Sequence, residues 1–188
     1  VTPGASTLEN HGDLKRIGNN SPRYRVGLNL DAAWKGIDFS IFFQGVLKRD
    51  WMFDAGDPYF WGAGSGMWQA ACFEEHMDYW TPENTDAYYP KPYFNETKNQ
   101  QAQDAYMQKA SYLRCKNIQL GYTLPTHITE KAGISNCRIY LSCDNLFTIT
   151  GLSSVYDPEV FGSYDGYGTS GKTYPLQRTI SVGVNLNF

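Results

Sequence analysis

The residues best suited to hold a ligand are aromatic, and they crowd one stretch. Trp51, Phe53, Tyr59, Phe60, Trp61, Trp68, Tyr79, Trp80, Tyr88, Tyr89 and Tyr93 all fall within residues 51–93. Flat ring faces beside Asp, Asn and Gln suit a sugar ring, by stacking and by hydrogen bonding. On that chemistry Trp51, Trp61, Trp68, Tyr88 and Tyr89 are the candidate ligand-binding residues. The same rings equally suit packing of the segment against itself or against a protein lid.

Other constellations carry less. Cys72 and His76 are four apart and would share one face of a helix at metal-ligand spacing. Zinc takes three or four protein ligands, and no second Cys/His pair lies nearby, so no metal is expected. Glu74/Glu75 and Asp54/Asp57 are carboxylate pairs of the type used in glycoside hydrolysis, but no surrounding pattern supports catalysis. The three histidines, His11, His76 and His127, accompany no nucleophile elbow. The Gly62-Ala63-Gly64-Ser65-Gly66 segment lacks the Lys-Ser/Thr that completes a phosphate loop. Neither enzymatic activity nor a cofactor is expected.

The elements that must position the aromatic stretch are strands. Aromatics make up 15% of the 188 residues, with 14 Tyr and 18 Gly, a composition that suits strands, aromatic girdles and turns more than helices. The formal net charge of -3, with no long Lys/Arg cluster, gives no footprint for nucleic acid. No apolar run reaches the roughly 20 residues of a transmembrane helix; a spanning strand needs only about 9–11, every second one free to be polar. Val1-Thr2-Pro3-Gly4 is no secretory leader, so either a leader has been removed or the chain begins inside a longer one. The four cysteines (Cys72, Cys115, Cys137 and Cys143) form no CxxC pair and are expected to be small, buried or half-buried residues.

Five runs alternate with period 2. In residues 23–34, Tyr24, Val26, Leu28, Leu30, Ala32 and Trp34 oppose Arg23, Arg25, Gly27, Asn29, Asp31 and Ala33. Lys35-Gly36 reads as a tight turn into a second run, with Ile37, Phe39, Ile41 and Phe43 opposite Asp38, Ser40 and Gln44; Phe42 is the exception. A third sets Ile118, Leu120, Tyr122 and Leu124 against Asn117, Gln119, Gly121 and Thr123. Its parity flips upstream at residues 112–116, which predicts a β-bulge or a strand rising past the apolar zone. The fourth carries Cys137, Ile139, Leu141 and Cys143 on its apolar side. In the last run, Ile180, Val182, Val184, Leu186 and Phe188 alternate without a break to the chain end.

One-sided faces suit a soluble sheet with a wet side as well as a wall in lipid. Three observations favour lipid. Short connections (Lys35-Gly36 and residues 125–136) alternate with long ones of roughly 60 and roughly 30 residues, so the tight turns share one side, as in outer-membrane barrels. Tyr24 and Trp34, ten residues apart on the apolar face, span about 25 Å along a tilted strand, the height of a lipid-facing band between two aromatic girdles. A final alternating strand ending in Phe188 has the pattern of a barrel's closing strand.

Several segments in order resemble the C-terminal end of SusC/RagA-type TonB-linked outer-membrane receptors. They include Ile17-Gly18-Asn19, Ser21-Pro22-Arg23-Tyr24, Trp34-Lys35-Gly36, Tyr79-Trp80-Thr81-Pro82, and Ala110 with Ser111-Tyr112-Leu113-Arg114. Downstream lie Asn117-Ile118-Gln119-Leu120-Gly121-Tyr122, Asp144-Asn145-Leu146-Phe147, Tyr156-Asp157-Pro158-Glu159-Val160 and Tyr174-Pro175-Leu176-Gln177-Arg178. The likeness runs from about Ile17 to Phe188.

The resemblance implies an all-β fold, with residues 1–188 supplying about five C-terminal antiparallel strands of a large transmembrane β-barrel with long extracellular loops. The plug domain and earlier strands are absent from this sequence. It implies nutrient import, of glycan or peptide, across a Gram-negative outer membrane, driven by the TonB complex through the missing N-terminal region. A SusD-like surface lipoprotein is the expected partner, with membrane lipid around the wall and an oligosaccharide or peptide ligand within. The segment at residues 10–13 is too short for a calcium loop. The alternative is a soluble β-sandwich carbohydrate-binding module using the same aromatics.

Overall fold

The computed structural model describes residues 4, 5, 7, 9–65, 72–93, 98–162 and 173–188. The chain divides into two compact units. One joins Pro22–Arg49 to Lys109–Phe188; the other is built on Asp50–Gln108, with the stretch ending at Ser21.

The first unit is a sheet. Its long strands are β1 (Arg25–Trp34), β2 (Ile37–Val46), β4 (Gln108–Thr123), β5 (Asn136–Gly151) and β6 (Thr179–Asn187); the two-residue strand β3 (Asp50–Trp51) falls in the other unit. The long strands pair antiparallel in the order β1-β2-β4-β5-β6. All five expected runs are therefore consecutive neighbours in one sheet. A sandwich needs a second sheet packed about 10 Å from the first; among the described residues these five strands make one sheet.

Register turns the alternation into faces. Ala32, Phe39, Leu120, Leu141 and Val182 lie in one row across the sheet. The adjacent row of Asp31, Ser40, Gln119, Ser142 and Ser181 points the other way. The apolar face is uncovered: Leu120 is 50%, Leu141 49% and Val182 75% exposed. A soluble monomer rarely tolerates a contiguous apolar patch beyond a few hundred Å². Hydrocarbon accepts one, because the backbone polar groups of paired strands bond to one another along the ladder.

Turn chemistry sets the ends. Lys35 and Gly36 both have positive φ (47° and 85°), the requirement of a two-residue hairpin whose twist matches its strands. The Gly36 carbonyl accepts the Thr123 N–H at 2.7 Å. Residues 124–135 hold a helical turn, α2 (Thr126–Thr129), and a 3₁₀ turn (Glu130–Ala132) closed by Gly133 at φ 71°. Ile37 pairs with Tyr122 and Thr123 with Arg138, so both short connections lie at one end of the sheet. The pairing of Asn136 with Asn187 brings the chain end there too. The long connections, residues 47–107 and 152–178, leave from the other end.

The expected parity flip is a bulge. Phe43 pairs with Cys115 and Phe42 with Asn117, so Lys116 is the extra residue against β2; across β5 the pairs Cys115–Phe147 and Asn117–Asp144 set Lys116 against two residues, Leu146 and Asn145, the latter at φ 53°, a conformation asparagine tolerates better than most. Beyond the bulge the apolar face of β4 passes to Leu113 and Cys115. Phe42 also finds a reason: its ring lies 3.5 Å from where a Cβ on Gly27 would stand. An apolar side chain on the polar face is thus laid over a neighbouring glycine. One expectation needs correcting. Cys115, Cys137 and Cys143 are buried, but Cys72 is exposed, because it precedes a surface 3₁₀ turn (Glu74–Met77) rather than lying in a strand.

Candidate functional site

In the second unit the aromatic stretch folds around a short helix, α1 (Pro58–Trp61). Asp57 caps it: one carboxylate oxygen accepts the N–H groups of Tyr59 (3.0 Å) and Phe60 (2.8 Å), and proline takes the first position, where no N–H is needed. That cap turns Phe60 and Trp61 inward, where they are 0% and 5% exposed. Phe60 stacks on Phe53 at 4.9 Å between ring centroids and meets Trp61, Tyr89 and Tyr106 edge-on at 4.7, 5.7 and 6.2 Å. These are the favoured geometries of aromatic pairs. The Trp61 indole N–H donates to the Asp54 carbonyl at 2.9 Å.

His76 belongs to this core. Its Nδ1 accepts the Phe73 N–H at 3.0 Å, and Nε2 lies 3.1 Å from the Phe60 carbonyl, which assigns the ring proton to Nε2. Gly62, at φ 56°, abuts that ring so closely that a Cβ would strike it. With both nitrogens committed, His76 has no lone pair to offer a metal, and Cys72 is exposed. No group of three or more His, Cys, Asp or Glu is placed to hold a metal among the described residues. Asp57, of the Asp54/Asp57 pair, serves as the helix cap.

Of the four candidate aromatics that lie within the described residues, three gather in or beside the ring cluster. Trp61 and Tyr89 are buried in the ring cluster, Trp51 is half-buried, and Tyr88 is 40% exposed at the cluster's edge. Trp68 lies outside the described residues. Burial pushes the phenols of Tyr88, Tyr89 and Tyr106 up from their ordinary pKa; the Glu75 charge adds to the rise at Tyr89 and Tyr88, where the Gln108 hydrogen bond opposes it. Two further rings are exposed, Trp80 and Tyr93. Trp80 and Tyr93, with Tyr89, Tyr106 and Asn99, line an open cleft of about 460 Å³ that also carries Lys91 and Lys98. Asp78 organises its approach, taking the Asn84 side-chain amide and the Tyr88 N–H, both at 3.1 Å.

The polar face of the sheet carries two ion networks. Near the short-turn end, Arg138 clasps Asp38 through two hydrogen bonds, reaches Gln119 Oε1 at 2.9 Å, and lies 5.0 Å from the centre of the Tyr140 ring. Tyr140 in turn occupies the space that a Cβ on Gly183 would need.

Toward the other end, buried Arg114 donates to Thr148 Oγ1 (2.8 Å), Glu159 (3.0 Å) and Asp157 (2.7 Å). Lys116, freed from the ladder by the bulge, reaches both oxygens of Glu159 at 3.1 and 3.2 Å. Asp157 also accepts the N–H groups of Glu159 (2.9 Å) and Leu176 (3.0 Å), tying the loop's return to the same anchor. Sequence reasoning did not single out these four side chains. Their one signal was a pair of cations two apart in a strand, followed some forty residues later by two acids around a proline.

No family model matches the chain. Two curated proteins of Formosa agariphila do. TonB-dependent receptor P3 is 30% identical over 183 residues, covering 94% of this chain, and TonB-dependent receptor P26 is 27% identical over 184 residues, again 94%.

The chain belongs with the TonB-dependent receptors.

It spans 17% and 18% of the lengths of those two relatives. Solved structures agree. The RagAB peptide transporter matches at 26% identity with a TM-score of 0.57, over 86% of this chain and 17% of that one. The RagAB peptide importer in its open-open state matches at 25% identity with a TM-score of 0.62, over all of this chain and 20% of that one. The sheet of this receptor chain thus has the fold of outer-membrane barrel wall. Its relatives are receptors and transporters, not enzymes.

Proposed function

We propose that this chain forms part of the wall and the outer loops of a TonB-driven importer that carries an oligomeric nutrient, glycan or peptide, across a Gram-negative outer membrane. The observation that carries this reading is the two-sidedness of one antiparallel sheet. Its apolar face carries exposed side chains on every long strand, while its polar face bears ion networks with their partners in place. That division fits a wall between lipid and an aqueous lumen. The tight turns and the chain end mark the periplasmic rim, and the long connections mark the outer mouth.

In this reading Ile180, Val182, Val184, Leu186 and Phe188 form the closing strand, which pairs with the barrel's first strand. TonB acts through a region this sequence does not contain, and a SusD-like lipoprotein covers the outer mouth. This reading gives the chain no catalytic role. Ligand contact falls to the half-exposed rings of the second unit: Tyr88 among the candidates, joined by Trp80 and Tyr93. Trp61 and Tyr89 act behind them, by holding the cleft in shape.

Fractionation and uptake test the proposal together. The protein should travel with the outer membrane and migrate faster on gels before heating than after. Uptake of a labelled oligopeptide or oligosaccharide pool should fall when its gene is removed, and fall equally in cells lacking TonB. Recovery in the soluble periplasmic fraction, or uptake indifferent to TonB, would sink the reading.

A further inference from the structure

The chain does not run outward after β5. Thr150 pairs with Tyr112 near the end of the ladder, and β5 stops at Gly151. A few residues later the chain is back beside the wall: Asp157 stands 2.7 Å from Arg114, which pairs with Thr148. Glu159 lies 3.1 Å from Lys116 at the bulge. The chain has therefore turned and retraced its path along the sheet. Arg114 pairs with Gln44, inside the strand end at Val46, and Lys116 lies between the Phe43 and Phe42 rows. At about 3.3 Å a residue, these anchors sit roughly 7–13 Å down the wall.

The face it returns along is the polar one, because Gln44 alternates in step with Asp38, Ser40 and Phe42. Val46, Tyr112 and Arg114 on that face are buried, and so are Leu152, Tyr156 and Phe161 of the loop. The hold is multiple. One carboxylate oxygen of Asp157 serves Arg114 and the Glu159 N–H, and the other accepts the Leu176 N–H, so both limbs of the loop meet at one side chain. The Asp157 carbonyl accepts the Phe161 N–H at 3.0 Å, a tight turn that brings the Phe161 ring to 4.8 Å from the Arg49 guanidinium. On the return limb the Asn145 side-chain amide, at the bulge, donates to the Gln177 carbonyl at 2.9 Å.

We propose that residues 152–161 form a ledge inside the passage that limits the girth of the ligand admitted, and that Asp157 is the positioning residue that holds the ledge against the wall. The ledge takes up cross-section at the long-loop end, where the reading above places the outer mouth. A slender chain passes it; a branched or bulky one meets it. A buried ion pair resists displacement, because removing one partner leaves the other charged and dry. The proposal rests on the transport reading, which puts the polar face on the passage.

Two variants should move the cut-off in opposite directions, which a merely structural role does not do. Asp157→Ala releases both limbs, and Ser154→Trp adds bulk at an exposed position of the ledge. The probes are size-graded ladders of labelled linear and branched oligopeptides and oligosaccharides, fed to cells and read by mass spectrometry of what enters. Relative to the shortest linear member, Asp157→Ala should raise the share of the bulkiest members about threefold or more, and Ser154→Trp should lower it. Asp157→Asn, which keeps one acceptor oxygen for Arg114 and the Glu159 N–H, should shift the profile less. Hydrogen exchange on the detergent-extracted receptor needs no transport. There Asp157→Ala should speed exchange at residues 152–161 roughly tenfold and leave the strands unchanged.

Opposite shifts, in protein that still shows heat-modifiable migration, support the ledge. A profile that both variants leave in place, in a receptor that still imports, overturns it and spares the transport reading. Should Asp157→Ala fail to reach the outer membrane, Ser154→Trp decides alone by the same criterion. Wild-type exchange at residues 152–161 as fast as in a free loop overturns the ledge whatever the uptake result. Uptake indifferent to TonB, with those residues protected, sinks the transport reading and the filter with it.

Discussion

Phe60 and Val182 are both apolar, and the molecule treats them in opposite ways. Phe60 is wholly enclosed by rings, while Val182 is 75% exposed on the sheet. In the loop unit water is the solvent, so order comes from sequestering aromatics behind a capped turn. In the sheet, order comes from the ladder of backbone hydrogen bonds. There the outward side chains need only suit hydrocarbon, which offers them the same environment as a protein core. One chain thus contains a small water-facing core and a wall turned inside out, and mutations in the two should follow different rules.

The broadest test removes the lipid. Residues 1–188 expressed alone should aggregate or depend on detergent, because β1 and β6 are edge strands among the described residues and the outer face is apolar. A soluble monomer with a cooperative melt in plain buffer would erase the contrast between the units. Next, in the intact receptor, Phe60→Ala should cost the loop unit roughly 3–5 kcal/mol. Limited proteolysis should then cut within residues 50–108 while heat-modifiable migration persists; protease resistance equal to wild type would deny the ring cluster its role as a core.

A smaller effect separates the two faces of the wall. Val184→Arg should destabilise by roughly 2–4 kcal/mol near mid-bilayer, and Asn185→Arg by much less. Equal losses in denaturant titrations in lipid would refute the face assignment. The mildest test is alkaline. The phenols of Tyr88, Tyr89 and Tyr106 stay neutral longer in the folded state, so their contribution is complete below about pH 10 and is lost as pH rises toward their raised folded values. Tyrosine absorbance should report late ionisation coupled to loosening of the loop unit, with the strand signal unchanged. Ordinary titration near pH 10 would contradict their burial.

The sheet was legible because its signal is local. Period 2 in residues 25–34 or 179–187 needs no knowledge of the rest of the chain, and the parity flip at residues 112–116 announced the bulge at Lys116. The loop unit has no such period. Nothing near Trp61 or Tyr89 says that Asp57 will turn the first inward and that the second will close over it, or that Trp80 and Tyr93 will keep a face to water. Cys72 was misjudged for the same reason: cysteine's general preference for burial says little inside an irregular turn. The Arg114–Asp157–Glu159–Lys116 network was hidden by distance, since its partners lie more than forty residues apart and Lys116 joins it from the bulge.

The glycines of the polar face carry a consequence for passage. Phe42 lies over Gly27, Tyr140 over Gly183, and Arg138 beside Gly121. Three of the longest side chains on that face recline in troughs left by absent Cβ atoms, so the surface has low relief where its residue types suggest a bristling one. For a conduit this sets the clearance. In the importer proposed above, Gly183→Ala would push the Tyr140 ring out of its trough and raise the relief of the lumen face.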